Sequence, residues 1–172
     1  MYDENGEFNY ADEDKLPWQD PYEMMESLKK INKLDYKYSS YLKDIKDFKS
    51  SVLTAVVKTE EEHEKMCMDY IFGGYDRTTL QEGMEMSVNC TGTEDFNLLF
   101  PGKDMIYKVV GKETVTTPVA TFSCTVVNAI DGFNKVKLWM IDNKPGVFAK
   151  VIVENSDENM GFYHVFELKQ IH

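Results

Sequence analysis

The chain is poor in the residue types that most often carry chemistry. It has three cysteines and three histidines in 172 residues. Three cysteines cannot complete a disulfide framework, and Cys67, Cys90 and Cys124 form no Cys-x-x-Cys pair. One bridge with one free thiol suits an oxidising compartment, and three buried thiols suit a reducing one. No Gly-x-Ser-x-Gly elbow is present, so serine-hydrolase logic fails. Gly102-Lys103 lacks the spacing of a phosphate-binding loop. No apolar run reaches the roughly 18 residues of a membrane-spanning helix, so no transmembrane segment is expected. The start, MYDENGEF, has neither the basic residues nor the apolar stretch of a secretory signal. The protein is therefore expected in the periplasm or cell envelope if a signal has been removed, and otherwise in the cytoplasm.

Bases are also scarce. There are 19 Lys and Arg against 30 Asp and Glu, a net charge of −11. Such a chain does not repay the counterion cost of a phosphate backbone, and nucleic acid is excluded as a partner. The acids crowd the start: Asp3, Glu4, Glu7, Asp12, Glu13, Asp14 and Asp20 face only Lys15. Residues 1–19 read as an acidic, partly mobile tail.

The few histidines offer no site. His172 is terminal, and His164 sits in a strand-like run beside Tyr163 and Phe166. His63 lies in Glu60-Glu61-Glu62-His63-Glu64, where acids raise its pKa rather than prepare a neutral base. His63 and Cys67 supply only two ligands of a tetrahedral metal site. Asn89-Cys90-Thr91 fits a glycosylation sequon but reads as part of a strand. No catalytic residue, cofactor or metal is assigned, and the chain reads as a non-enzyme.

What is abundant is core material. Hydrophobic residues make up 42% and aromatics 13%, which excludes disorder of the whole chain. Residues 20–172 read as one domain. Asp20-Pro21-Tyr22-Glu23 has the composition of a helix start. Apolar residues follow at Tyr22, Met25, Leu28 and Ile31, then at Tyr38, Tyr41, Leu42, Ile45 and Phe48. That spacing predicts a helix or helix pair over 20–49, broken near Asn32–Asp35. From about residue 50 the period becomes two. Met84, Met86, Val88 and Cys90 alternate with polar residues, as do Phe122, Cys124 and Val126, and Val136, Leu138 and Met140. The last two sets are expected to be buried together on one face. Turn signals such as Gly73-Gly74, Asp131-Gly132 and Pro145-Gly146 separate the runs. The predicted fold is α+β, mainly β: a curved antiparallel sheet (50–171), half-barrel or sandwich, with the helical lead-in packed on it.

One segment resembles a known family. Gly111 to Cys124 follows a Gly-x-Glu-x-Val-x-x-Pro-x-Gly-x-Phe-x-Cys run, with Ala120 at the second Gly. Trp139 to Lys150, containing Pro145-Gly146-Val147, and the closing Glu167-Leu168-Lys169-Gln170-Ile171 continue it. Gly111–Ile171 thereby resembles uncharacterised secreted or periplasmic bacterial β-proteins, distantly similar to LolA-like lipoprotein carriers. The resemblance implies a curved sheet around an apolar cavity and no catalytic residues.

Ten Met, ten Tyr, ten Phe and two Trp fill a core or line an adaptable groove. For a groove, the expected lining is Tyr38, Tyr41, Leu42, Phe48, Met84, Met86 and Trp139. The function expected is non-catalytic: a cell-envelope binding or carrier-like protein for an apolar small molecule or a lipidated protein. The alternative is an acidic protein–protein interaction module of inhibitor or immunity type.

Overall fold

The computed structural model describes residues 17, 26–42, 45–60, 65–73, 85–88, 106–130, 134–155 and 162–172. Their strands form one nine-stranded antiparallel sheet. In chain order these are β1 (Lys33–Leu42), β2 (Ile45–Glu60), β3 (Lys65–Gly73), β4 (Glu85–Val88), β5 (Ile106–Thr116), β6 (Thr121–Ile130), β7 (Asn134–Ile141), β8 (Phe148–Asn155) and β9 (Phe162–Ile171). The spatial order is β4-β3-β2-β1-β9-β8-β7-β6-β5. Two meanders are thus joined where the last strand pairs with the first.

The mainly β, antiparallel expectation stands. The helical lead-in over 20–49 does not. Only residues 26–28 are helical among those described, and strand begins at Lys33 rather than near residue 50. The reason is a competing period. Leu34, Tyr36 and Tyr38 alternate with Asp35 and Lys37, and β1 pairs on both sides, with β2 and with β9. Tertiary pairing overrides the weaker helical spacing of Tyr38, Tyr41, Leu42, Ile45 and Phe48. The helical reading survives only as a stub. Leu28 and Ile31 are buried, and the Ile31 amide donates to the Leu28 carbonyl at 2.9 Å. The Asn32–Asp35 break expected between helices is where the chain turns into strand.

β5 runs through Gly111 as one strand, from Ile106 to Thr116. The register shifts between Val109 and Gly111, which marks a bulge, and Gly111 has a positive φ of 152°.

The register of β6 on β7 also differs from expectation. Val126 pairs with Trp139 and Val127 with Leu138. Cys124 and Val126 therefore share a face with Trp139 and Ile141, while Leu138 shares the other face with Val127 and Ala129. Phe122, Cys124 and Val126 are not on the face of Val136, Leu138 and Met140. Val126 and Val127 are both buried, so polarity does not distinguish the faces here and alternation alone cannot fix a one-residue slip.

The core centres on Leu28, Leu34, Tyr36, Leu138, Ile141, Val147, Phe148 and Leu168, all within 1% of complete burial. The Tyr36 hydroxyl donates to the Phe148 carbonyl at 3.0 Å, tying β1 to β8 over the intervening β9. Burial pushes this phenol well above its usual pKa, so it remains a donor.

Candidate functional site

Cross-strand register assembles one continuous apolar face from β1 and β5–β9. An inner row runs Val109, Val127, Leu138, Val151, Phe166, Tyr38. From Val127 to Tyr38 this row is buried. The next row runs Tyr107, Ala129, Val136, Val153, His164. Here Tyr107, Val136, Val153 and His164 are only half-buried. Tyr107, Val136 and Val153 nonetheless pack against the core. Burial thus declines along the strands from the Leu28–Phe148 end towards the His164 end, leaving an apolar ledge on five adjacent strands.

At its β9 end the ledge meets a polar pair. The Tyr38 hydroxyl and His164 Nδ1 share a hydrogen bond of 2.7 Å. Either the hydroxyl donates to a bare Nδ1, or a protonated Nδ1 donates to the hydroxyl. The Tyr38 ring stacks on His164 at 9° and on Phe166 at 24°, with centroids 5.9 and 5.0 Å apart. These contacts fix both rings, and the pair supplies a polar handle at the edge of an apolar surface. Such placement orients an amphipathic ligand.

The opposite face is differently built. Trp139 is buried under charge: its Nε1–H donates to Glu113 at 2.8 Å, and Lys137 Nζ lies 4.5 Å from the ring centroid. Lys150 Nζ lies 5.9 Å from that centroid and pairs with Glu167 at 3.2 Å. The hydrogen bond from Trp139, with the lesser help of Lys137, holds the Glu113 carboxyl below its usual range. This is a ring held by cation–π and hydrogen-bond contacts, and every polar group named has a partner.

Tyr38 and Trp139 consequently do not share a groove. Trp139 pairs with Lys150, next to which Val151 pairs with Phe166 and Phe166 with Tyr38. The two aromatics stand on opposite faces of the sheet. Of the other lining residues expected from the sequence, Tyr41 pairs in register with Tyr163, Leu42 with Phe162 and Ile45, and Met86 with Tyr70. Phe48 lies within β2, and Met84 lies outside the described residues, as do His63, Cys90 and nearly all of the acidic tail. The sequence reading missed Val136, Val153, Tyr107 and His164 as ledge residues. Their shared cross-strand row was the only available signal, and it requires the register.

Cys124 is fully buried, with Sγ 3.8 Å from the Phe122 carbonyl. Burial, and then the charges of Asp142 and Glu113, push its thiol up to about 11. It is protonated at neutral pH and is not an activated nucleophile.

Asp142, in the turn after β7, staples that turn to β5 and β6. Its carboxylate accepts from Thr125 Oγ1 at 2.7 Å, Ser123 Oγ at 2.9 Å and Lys112 Nζ at 2.9 Å. Its backbone amide donates to the Ser123 carbonyl at 3.0 Å. Partial desolvation alone would raise its pKa, but the bonds from Thr125, Lys112 and Ser123 outweigh it and hold the carboxyl low. Asp142→Ala is expected to cost about 2 kcal/mol, in the range of charge-assisted hydrogen bonds. The native pKa is depressed, so this stability is present above the unfolded value of about 3.9 and is lost as pH falls through the native value. Denaturant melts at several pH values check it: the gap between parent and variant should begin to narrow below about pH 4 and go on narrowing as pH falls through the native value.

No family model matches the chain, and no curated protein matches it either. Among solved structures, it is similar to MucB in the complex structure of Pseudomonas aeruginosa MucA/MucB. The TM-score is 0.44 at 10% identity, covering 87% of this chain and 54% of that one. A crystal structure of MucB in complex with MucA(peri) gives 0.45 at 11% identity, covering 87% and 53%. A DUF1329 family protein from Desulfovibrio piger gives 0.37 at 7% identity, covering 91% and 92%. The chain spans about half the length of the first two. At TM-scores this low, these likenesses decide neither fold nor function.

Proposed function

We propose that this chain is a non-catalytic binding protein of the cell envelope, which holds an acyl chain or the lipid group of a lipidated partner on the Tyr107–His164 ledge. The observation that carries this reading is the half-buried row itself. Tyr107, Val136 and Val153 remain partly open on a face whose inner row is closed, and the row ends at the hydrogen-bonded Tyr38–His164 pair. An acyl chain fits an apolar strip crossing several strands, with its polar head at the Tyr38–His164 end. The envelope location is supported by the resemblance of Gly111–Ile171 to secreted β-proteins. The non-catalytic role is supported by the protonated, buried Cys124 and by the sequence's lack of a nucleophile motif.

A titration with a fluorescent fatty acid tests the reading. Val153→Lys should weaken binding at least tenfold, a loss of about 1.4 kcal/mol. Ile152→Lys, on the other face, should leave it unchanged. Equal affinity in both variants, or no binding by the parent, would refute the ledge as the site.

A further inference from the structure

We infer that the β5–β6 hairpin is an association arm that pairs edge to edge with the same arm of a second copy of this chain. β6 pairs with β7 only from Cys124 onward, whereas β5 and β6 stay paired out to Thr116 and Thr121. The distal hairpin therefore runs beyond the rest of the sheet. Residues on both of its strands are open: Thr114, Thr116, Pro118, Val119, Ala120, Thr121 and Ser123 are exposed, and Val115, Thr117 and Phe122 are half-exposed. β5 is also the edge of the sheet, with no further strand on its outer side among the described residues.

The arm is ordered by its own bonds. The Thr117 amide donates to the Ala120 carbonyl at 2.9 Å, and the Thr117 hydroxyl donates to the same carbonyl at 3.2 Å. The Val119 amide donates to Thr117 Oγ1 at 3.3 Å, and the Thr116 and Thr121 hydroxyls lie 3.0 Å apart. An edge already held extended loses little conformational freedom on docking.

Charge selects the occupant. In a chain that is 28% charged with a net −11, the ten residues Thr114–Ser123 carry no charge. Exposed edges are normally guarded by Lys, Pro or a bulge. Here the bulge at Val110 and the Lys112–Glu113 pair lie at the root of the arm, and its outer edge beyond them is rich in Thr and Val. Two copies repel through most of their surfaces, but not along this stretch. A twofold axis normal to the sheet requires antiparallel pairing of β5 with itself, and that confines the register. Centring on Lys112 or Glu113 sets like charges directly opposite, which is unfavourable. Centring on Thr114 places Glu113 opposite Val115 and Lys112 opposite Thr116. Centring on Val115 places Thr114 opposite Thr116. Both give uncharged pairs at the axis, in an interface of the isologous kind.

Sedimentation equilibrium of the full chain tests this, with loading from about 1 μM to about 1 mM, the range over which a short β-edge contact would show. The parent should pass from monomer to dimer. Thr114→Lys and Thr114→Glu, both at an exposed position, should each weaken association at least tenfold with unchanged melting. An equimolar mixture of the two should associate again as a heterodimer, because Lys and Glu then face each other directly in the Thr114-centred register and diagonally, still within reach of long side chains, in the Val115-centred one. A parent that stays monomeric throughout, single variants that dimerise like the parent, or a mixture that does not recover would each overturn the inference.

Discussion

Leu138→Asp is expected to lower the unfolding free energy by about 5 kcal/mol, close to the whole stability of a small domain. Leu138 is 1% exposed and sits mid-sheet, opposite Val127 on one side and Val151 on the other. Those neighbours are themselves buried and offer no partner to a carboxylate. The charge must then be neutralised or hydrated by opening the sheet. Leu138→Ala separates the two contributions: it removes packing without adding charge and costs about 2–5 kcal/mol. Urea unfolding followed by circular dichroism measures both. A Leu138→Asp chain that melts with the parent would show that β7 is in the wrong register.

Gly146→Ala is the second large effect, expected at about 2–4 kcal/mol from strain and overlap together. Gly146 has φ +84°, a conformation that L side chains rarely adopt. A Cβ there would meet Leu28 Cδ1 at 2.8 Å, in the middle of the buried cluster. The contact is also where the helical stub packs onto the β7–β8 turn, so the substitution pushes apart two elements that close the core. A double-mutant cycle with Leu28→Ala divides the cost. Relief of the overlap should be recovered in the double variant, and the backbone strain should persist. Full additivity of the two single costs would show that the close approach is not felt.

The sequence made the β-rich sheet legible because from β3 onward its strands are bounded by turn residues and have a period of two. It misled over 33–49 because Tyr38, Tyr41, Leu42, Ile45 and Phe48 satisfy a helical spacing, while Leu34, Tyr36 and Tyr38 satisfy an alternating one. Short apolar runs fit both periods, and only pairing with β2 and β9 decides between them. The register of β6 was illegible for a different reason. Consecutive buried residues, Val126 and Val127, erase the contrast between faces on which an alternation argument depends. Trp139 stands apart from Tyr38 for a separate reason: through β8 and β9 the row of Tyr38 reaches Leu138, so Trp139 lies on the other face and the lining set expected from composition is broken up. Tyr38 remains beside the ledge because its stacking on Phe166 and His164 is set by β1–β9 pairing. Val136, Val153 and His164 become a row only once two strand pairs are known, and no spacing within one strand announces it.

The claim that the half-buried row binds an apolar ligand is tested most directly by methyl-resolved NMR of the full chain titrated with a medium-chain fatty acid. The ledge reading predicts saturable shifts in the methyl groups of Ala129, Val136 and Val153, with Ile152 on the opposite face unmoved. Shifts confined to Ile152, or no saturable shift at any of these four residues, would contradict it.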